Sequence, residues 1–93
     1  MKSTLSKIKK MNNVITKKII QLQDEGYLYD FMCLGTEKFV CLQDSVCFQA
    51  PDVCIKVVDQ AYDQFSNCYK YIHVVETATG HKGLMLEEGI YTT

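Results

Sequence analysis

CYKYIHVVETATGHKGLML, residues 68–86, reads as two strands joined by a tight turn. The first run, 68–77, is dense in β-branched and aromatic side chains, and the second, 82–86, is short and apolar. Between them Gly80 can supply the positive φ that a tight hairpin turn requires. Side chains alternate along a strand, so Ile72 and Val74 share one face while Tyr69, Tyr71 and Val75 share the other. Both faces are partly apolar, which places this strand inside a sheet.

Toward the N-terminus the same texture recurs at 27–34, 39–43, 46–49 and 53–62. The breaks are Gly35-Thr36-Glu37-Lys38, Asp44-Ser45 and Ala50-Pro51-Asp52. A parallel crossover needs about a dozen residues or more, and these connections are shorter, so neighbouring strands are expected to be antiparallel.

Before residue 26 the period changes. Leu5, Ile8, Met11, Ile15, Ile19 and Leu22 recur at spacings of three and four, which confines them to an arc of about 120° on a helix. Gly26 follows Asp24-Glu25 and is placed to end that helix in a left-handed conformation. Asn12-Asn13 leaves two readings open. Either one long helix runs through the pair, or a shorter helix is capped near residue 13 and residues 1–10 form a flexible basic extension. In both, the apolar stripe is the one large cover available to a sheet face, and the other face is left for a partner. The expected fold class is α+β, with one N-terminal helix packed on a mainly antiparallel sheet of about four to six strands. Residues 1–93 are expected to form a single small domain.

Hydrophobic residues make up 47% of the chain and charged residues 23%, with one proline, which suits a folded chain and not a disordered one. No apolar run approaches the ~18 residues of a membrane span. The basic start is not followed by the apolar stretch of a secretory signal, so a cytoplasmic protein without a membrane span is expected. The cysteines, Cys33, Cys41, Cys47, Cys54 and Cys68, are odd in number and contain no C-x-x-C, which predicts reduced thiols packed as small hydrophobes. Residues 1–18 carry six lysines and no acid, whereas the remainder carries four lysines and all eleven acids. Such asymmetry can mark a nucleic-acid or membrane-surface contact, or merely the solvated face of a helix. The absence of arginine and the acidic remainder argue against nucleic acid as a partner.

No motif carries a reaction. His73 and His81 flank a turn and do not make an H-x3-5-H pair, so neither a metal nor any other cofactor is expected; cysteines converging across the sheet are the route left open. Cys68 and His73 are five apart on one strand and face opposite ways, so a Cys–His dyad would need another cysteine. Thr79-Gly80-His81-Lys82-Gly83 joins strand to strand and lacks the order of a phosphate loop. His81 is expected to be a solvated turn residue and His73 packed or solvated. No catalytic residue is assigned, and the binding residues are unknown. Tyr27, Tyr29, Tyr69 and Tyr71 could form an amphipathic interface patch.

Glu25-Gly26-Tyr27-Leu28-Tyr29-Asp30-Phe31, together with Lys82-Gly83-Leu84-Met85-Leu86 and Gly89-Ile90-Tyr91, resembles a family of short uncharacterised bacterial proteins of about this length. Some of its members are loosely labelled phosphoribosylpyrophosphate synthetase. The resemblance covers residues 11–93 and would make residues 1–10 an extension before Met11. It departs from the family pattern at Gln60-Ala61-Tyr62-Asp63 and in the spacing of the last glycine. It implies a fold and no activity. The expected function is a noncatalytic protein-interaction or regulatory module whose partner is another protein or a second copy. The alternative is a small-molecule or nucleotide-binding domain, whose mark would be a pocket between helix and sheet with convergent polar groups.

Overall fold

The computed structural model describes residues 13–35 and 37–92. Helix α1 spans Asn13–Asp24, and its inward residues Ile15, Ile19 and Leu22 continue the stripe read from the sequence. Leu5, Ile8, Met11 and the choice between a long and a capped helix lie outside the described residues. The helix ends as expected at Gly26, which has φ +103°. Tyr27 N–H donates to the Leu22 carbonyl at 3.1 Å and Gly26 N–H to that of Gln23 at 3.0 Å, the paired bonds of a Schellman cap. Tyr27 then packs against the same cluster as Leu22.

Six strands follow: β1 Tyr29–Cys33, β2 Lys38–Cys41, β3 Cys47–Gln49, β4 Val53–Asp63, β5 Cys68–Thr77 and β6 Lys82–Glu87. A 3-10 turn, Ala50–Asp52, joins β3 to β4. The sheet order is β3-β2-β1-β6-β5-β4. The antiparallel expectation holds for the chain-consecutive pairs β1–β2, β2–β3, β4–β5 and β5–β6. β1 and β6, which are not consecutive in the chain, pair in parallel, with Tyr29 opposite Gly83 and Phe31 opposite Met85. The sheet is thus mixed, though mostly antiparallel. Short loops constrain only strands next to each other in the chain, and β1 and β6 are joined through everything between them.

The sheet is rolled. Laid flat, six strands about 4.8 Å apart would separate the two edges by roughly 24 Å. Yet only Ala50–Asp52 intervenes between the edge strands β3 and β4, a link that reaches at most about 14 Å. The roll makes one face concave, and Phe31, Phe39, Cys41, Phe48, Val53, Ile55, Val75 and Met85 from all six strands fill it. The other face carries Ile72, Val74 and Leu84, covered by Ile15 and Leu22 of α1. β5 is consequently buried on both faces at Ile72, His73, Val74 and Val75, as its two apolar faces required.

The expectation of a free second sheet face is corrected here. Among the described residues no helix covers the concave face, but the sheet covers itself, leaving Cys41, Ile55 and Val75 at 0% exposure. The chain after β6 helps: the Tyr91 ring packs on Phe39 and His73, with centroids 6.4 and 5.8 Å apart. Its N–H donates to His73 Nε2 at 3.0 Å, while His73 Nδ1 lies 3.1 Å from the Met85 carbonyl oxygen. With the ring proton on Nδ1, both contacts are hydrogen bonds and the buried imidazole is satisfied while neutral.

Candidate functional site

Two places in this fold gather side chains that its own packing does not consume. The first is a groove on the helix-bearing side. Helix α1 covers the β4, β5 and β6 part of that face, and no residue of β1 or β2 belongs to the cluster beneath it. Register puts Asp30 opposite Leu84 and Met32 opposite Val40, and Leu42 N–H donates to the Asp30 carbonyl at 2.8 Å. Met32, Leu42, Leu84 and Leu86 with Ile19 therefore line a cavity of about 390 Å3. Met32, Leu42 and Leu86 are 42%, 51% and 40% exposed, and Ile20 on α1 is 54% exposed. The charged members of the lining are Asp30 and Glu87, and no lysine accompanies them. Gln43 holds Asp30 in place, its Nε2 donating to the carboxylate at 2.8 Å while its Oε1 accepts the Asp30 N–H at 2.9 Å.

The second place is where two hairpin turns meet. Cys41 ends β2, and Ser45, with φ +61°, turns the chain back into β3. Ser45 N–H donates to the Cys41 carbonyl at 2.8 Å, and Val46 N–H to Asp44 Oδ1 at 3.1 Å. From the β5–β6 turn, where Gly80 has its expected positive φ of +93°, His81 Nε2 reaches Asp44 Oδ2 at 2.8 Å. His81 Nδ1 lies 2.8 Å from Thr79 Oγ1. The Tyr29 and Phe48 rings flank the imidazole, with centroids 4.8 and 5.5 Å away. Cys41 Sγ, an Asp44 oxygen and a His81 ring nitrogen all lie within 4.8 Å of one another. Burial pushes the Cys41 thiol up, with the Asp44 carboxylate adding to the effect. The Val46 amide, and then His81, hold the Asp44 carboxyl below its usual range.

No family model, curated protein or solved structure matches this chain. Its function must therefore be argued from these side chains.

The structure rearranges several residues that the sequence singled out. His81 is not simply solvated, because it sits between two rings and bonds Asp44 and Thr79. His73 is packed, and it faces away from Cys68 as their spacing requires. The cysteines are all free thiols, but Cys41 alone is buried; Cys33 and Cys68 are half-buried, and Cys47 and Cys54 are exposed. Those last two alternate with the concave-face residues Phe48, Val53 and Ile55 and so lie on the convex side. The four tyrosines do not gather into one patch. Tyr29 pairs with Gly83 at the start of β6 and Tyr71 with Glu87 at its end, while Tyr27 packs under α1 and Tyr69 meets Tyr62 edge to face. Among the described residues, no helix is long and apolar enough to cross a membrane.

Proposed function

We propose that this protein is a noncatalytic interaction module whose partner is a second copy of itself, docked across the groove between α1 and strands β1 and β2. The observation that carries the proposal is the set of exposed apolar side chains Met32, Leu42 and Leu86 lining that groove, with Ile20 exposed on α1. Contiguous exposed apolar surface with a polar rim is the usual mark of a docking site. Charge favours a copy as the occupant. The groove is lined by Asp30 and Glu87 without a base, whereas α1 presents the exposed Lys17 beside Ile20. A two-fold contact would seat the outer side of each helix in the groove of the other chain, matching apolar to apolar and lysine to carboxylate.

Three cavities among the described residues give the nucleotide-binding alternative no support. Besides the groove, one opening of about 630 Å3 is lined by Phe39, Pro51, Val53 and Tyr91 among others, and one of about 290 Å3 by Val57, Gln60 and Tyr71 among others. None of the three has a lysine in its lining, and the groove would set two carboxylates against a phosphate. A reduced, cytoplasmic setting belongs to the proposal, since Cys47 and Cys54 are exposed free thiols. The resemblance to short bacterial proteins adds no reaction to it.

Sedimentation of the full chain over a hundredfold concentration range tests the proposal. A reversible shift toward twice the monomer mass is expected, and the double variant Met32→Glu, Leu86→Glu should stay monomeric with an unchanged circular dichroism spectrum. A monomer at every concentration, or a dimer indifferent to both substitutions, would overturn it.

A further inference from the structure

The geometry points to a zinc-class divalent metal site formed by Cys41, Asp44 and His81, with the fourth coordination position left to solvent. The site lies between the β2–β3 and β5–β6 turns, and it shares the first of them with the proposed docking groove, which Leu42 lines.

Three features carry the inference. The first is spacing: a C-x2-C or C-x4-C pair binds zinc because a tight turn brings two donors onto one ion. Cys41-x-x-Asp44 does the same with a thiol and a carboxylate, on a turn held by the Cys41–Ser45 and Asp44–Val46 bonds. The second is closeness. Metal–donor bonds of about 2.0–2.3 Å in a tetrahedron put neighbouring donors roughly 3.3–3.6 Å apart. The three donors here fall within 4.8 Å of one another. The His81–Asp44 pair at 2.8 Å has to open by about half an ångström to admit the ion, and the thiol has to approach by about one. Asp44 is on an exposed turn with its side chain 38% exposed, so Oδ2 can yield that half ångström while Oδ1 keeps its bond from the Val46 N–H.

The third feature is the support behind the histidine. A metal-bound imidazole generally gives its second nitrogen to a hydrogen-bond partner that fixes ring orientation. Thr79 Oγ1 occupies that position on Nδ1 at 2.8 Å, and Thr77 Oγ1 in turn lies 3.0 Å from Thr79 Oγ1. Nε2 is thereby aimed at Asp44, and the Tyr29 and Phe48 rings confine the ring in that pose. The donor set selects the ion: thiolate with imidazole suits zinc and cobalt, while magnesium and calcium prefer all-oxygen sites. Three protein donors with one open position is the pattern of a zinc ion able to take an exogenous ligand.

Cobalt(II) is the probe, added to the full-length reduced protein and followed by absorption. Binding at the site should give a saturable thiolate-to-cobalt charge-transfer band with the visible intensity of tetrahedral cobalt, and zinc should displace it. Cys41→Ser should abolish the charge-transfer band. Thr79→Val, on an exposed turn, should weaken binding by about 10- to 100-fold without loss of fold. Cys54→Ser, remote from the cluster, should change nothing. If Cys41→Ser does not fold, His81→Gln and Thr79→Val still decide the question. The inference is overturned if wild-type protein gives no charge-transfer band, or if the band persists undiminished in His81→Gln and Thr79→Val.

Discussion

Gly83 shows how tightly a single position is held. A Cβ built there would run into the Tyr29 carbonyl and stand 2.7 Å from Phe31 Cε2, because β6 lies directly against β1 at this register. Backbone would have to move to admit even a methyl group. Gly83→Ala is expected to cost about 1–3 kcal/mol by overpacking, read as a lower urea midpoint with an unchanged slope. Gly80→Ala loses stability by a different route, since φ +93° strains any L side chain while space around it is open. His73 is the other sensitive position. Replacing it by leucine removes the acceptor of the Tyr91 N–H and one contact of the Met85 carbonyl oxygen, at about 1–3 kcal/mol for a buried polar group left unsatisfied. Hydrogen exchange at the Tyr91 amide should accelerate more than exchange in the centre of β5, which identifies the lost bond as the one that pins the tail.

Between elements, the connection from β5 to the segment after β6 includes one ion pair, Lys70 with Glu88 at 2.9 Å. The lysine lowers the Glu88 pKa, chiefly through the hydrogen bond, and the carboxylate raises that of Lys70. A carboxyl whose folded pKa lies below its unfolded one stabilises the fold above the unfolded value. That contribution is lost as pH falls from the ordinary carboxylate range through the depressed folded value. At the alkaline end, the lysine contribution is lost as pH rises through its raised folded value. Glu88→Gln should therefore flatten the acid limb of a melting-temperature profile, by a small amount because both groups meet solvent. The β-bulge at Val58 has a larger structural effect. It shifts register between Val57 and Asp59, so Gln60 and Tyr62 lie opposite Tyr71 and Tyr69, and Asp59 and Ala61 opposite Ile72 and Lys70. Ala61 is thereby delivered to the cluster beneath α1.

Across the molecule, the concave cluster draws on every strand and the convex cluster ties α1 to β5 and β6. β5 belongs to both through Val75 and Ile72, so neither should unfold without the other. Far-ultraviolet circular dichroism and tyrosine fluorescence are expected to give coincident urea transitions. Ile55→Ala, at 0% exposure, should lower stability by about 2–5 kcal/mol while keeping those transitions together. Separated transitions would show that the helix-covered layer is an independent unit.

Much of the secondary structure was legible because it is written in short periods. The three-and-four spacing of Ile15, Ile19 and Leu22 marks α1, Gly26 marks its end, and alternation with turn residues marks all six strands to within about two residues. The run 68–77 matches β5 at both ends. Asp44-Ser45 was also readable as a turn, but His81 is 37 positions from Asp44 in the chain, and no local period connects the two. The parallel β1–β6 pairing, the roll that buries the second face, the scattering of the tyrosines and the meeting of Cys41, Asp44 and His81 share that origin. They follow from sheet order and curvature, which arise when distant strands pair and twist together, so side chains far apart in sequence meet only once the sheet has closed.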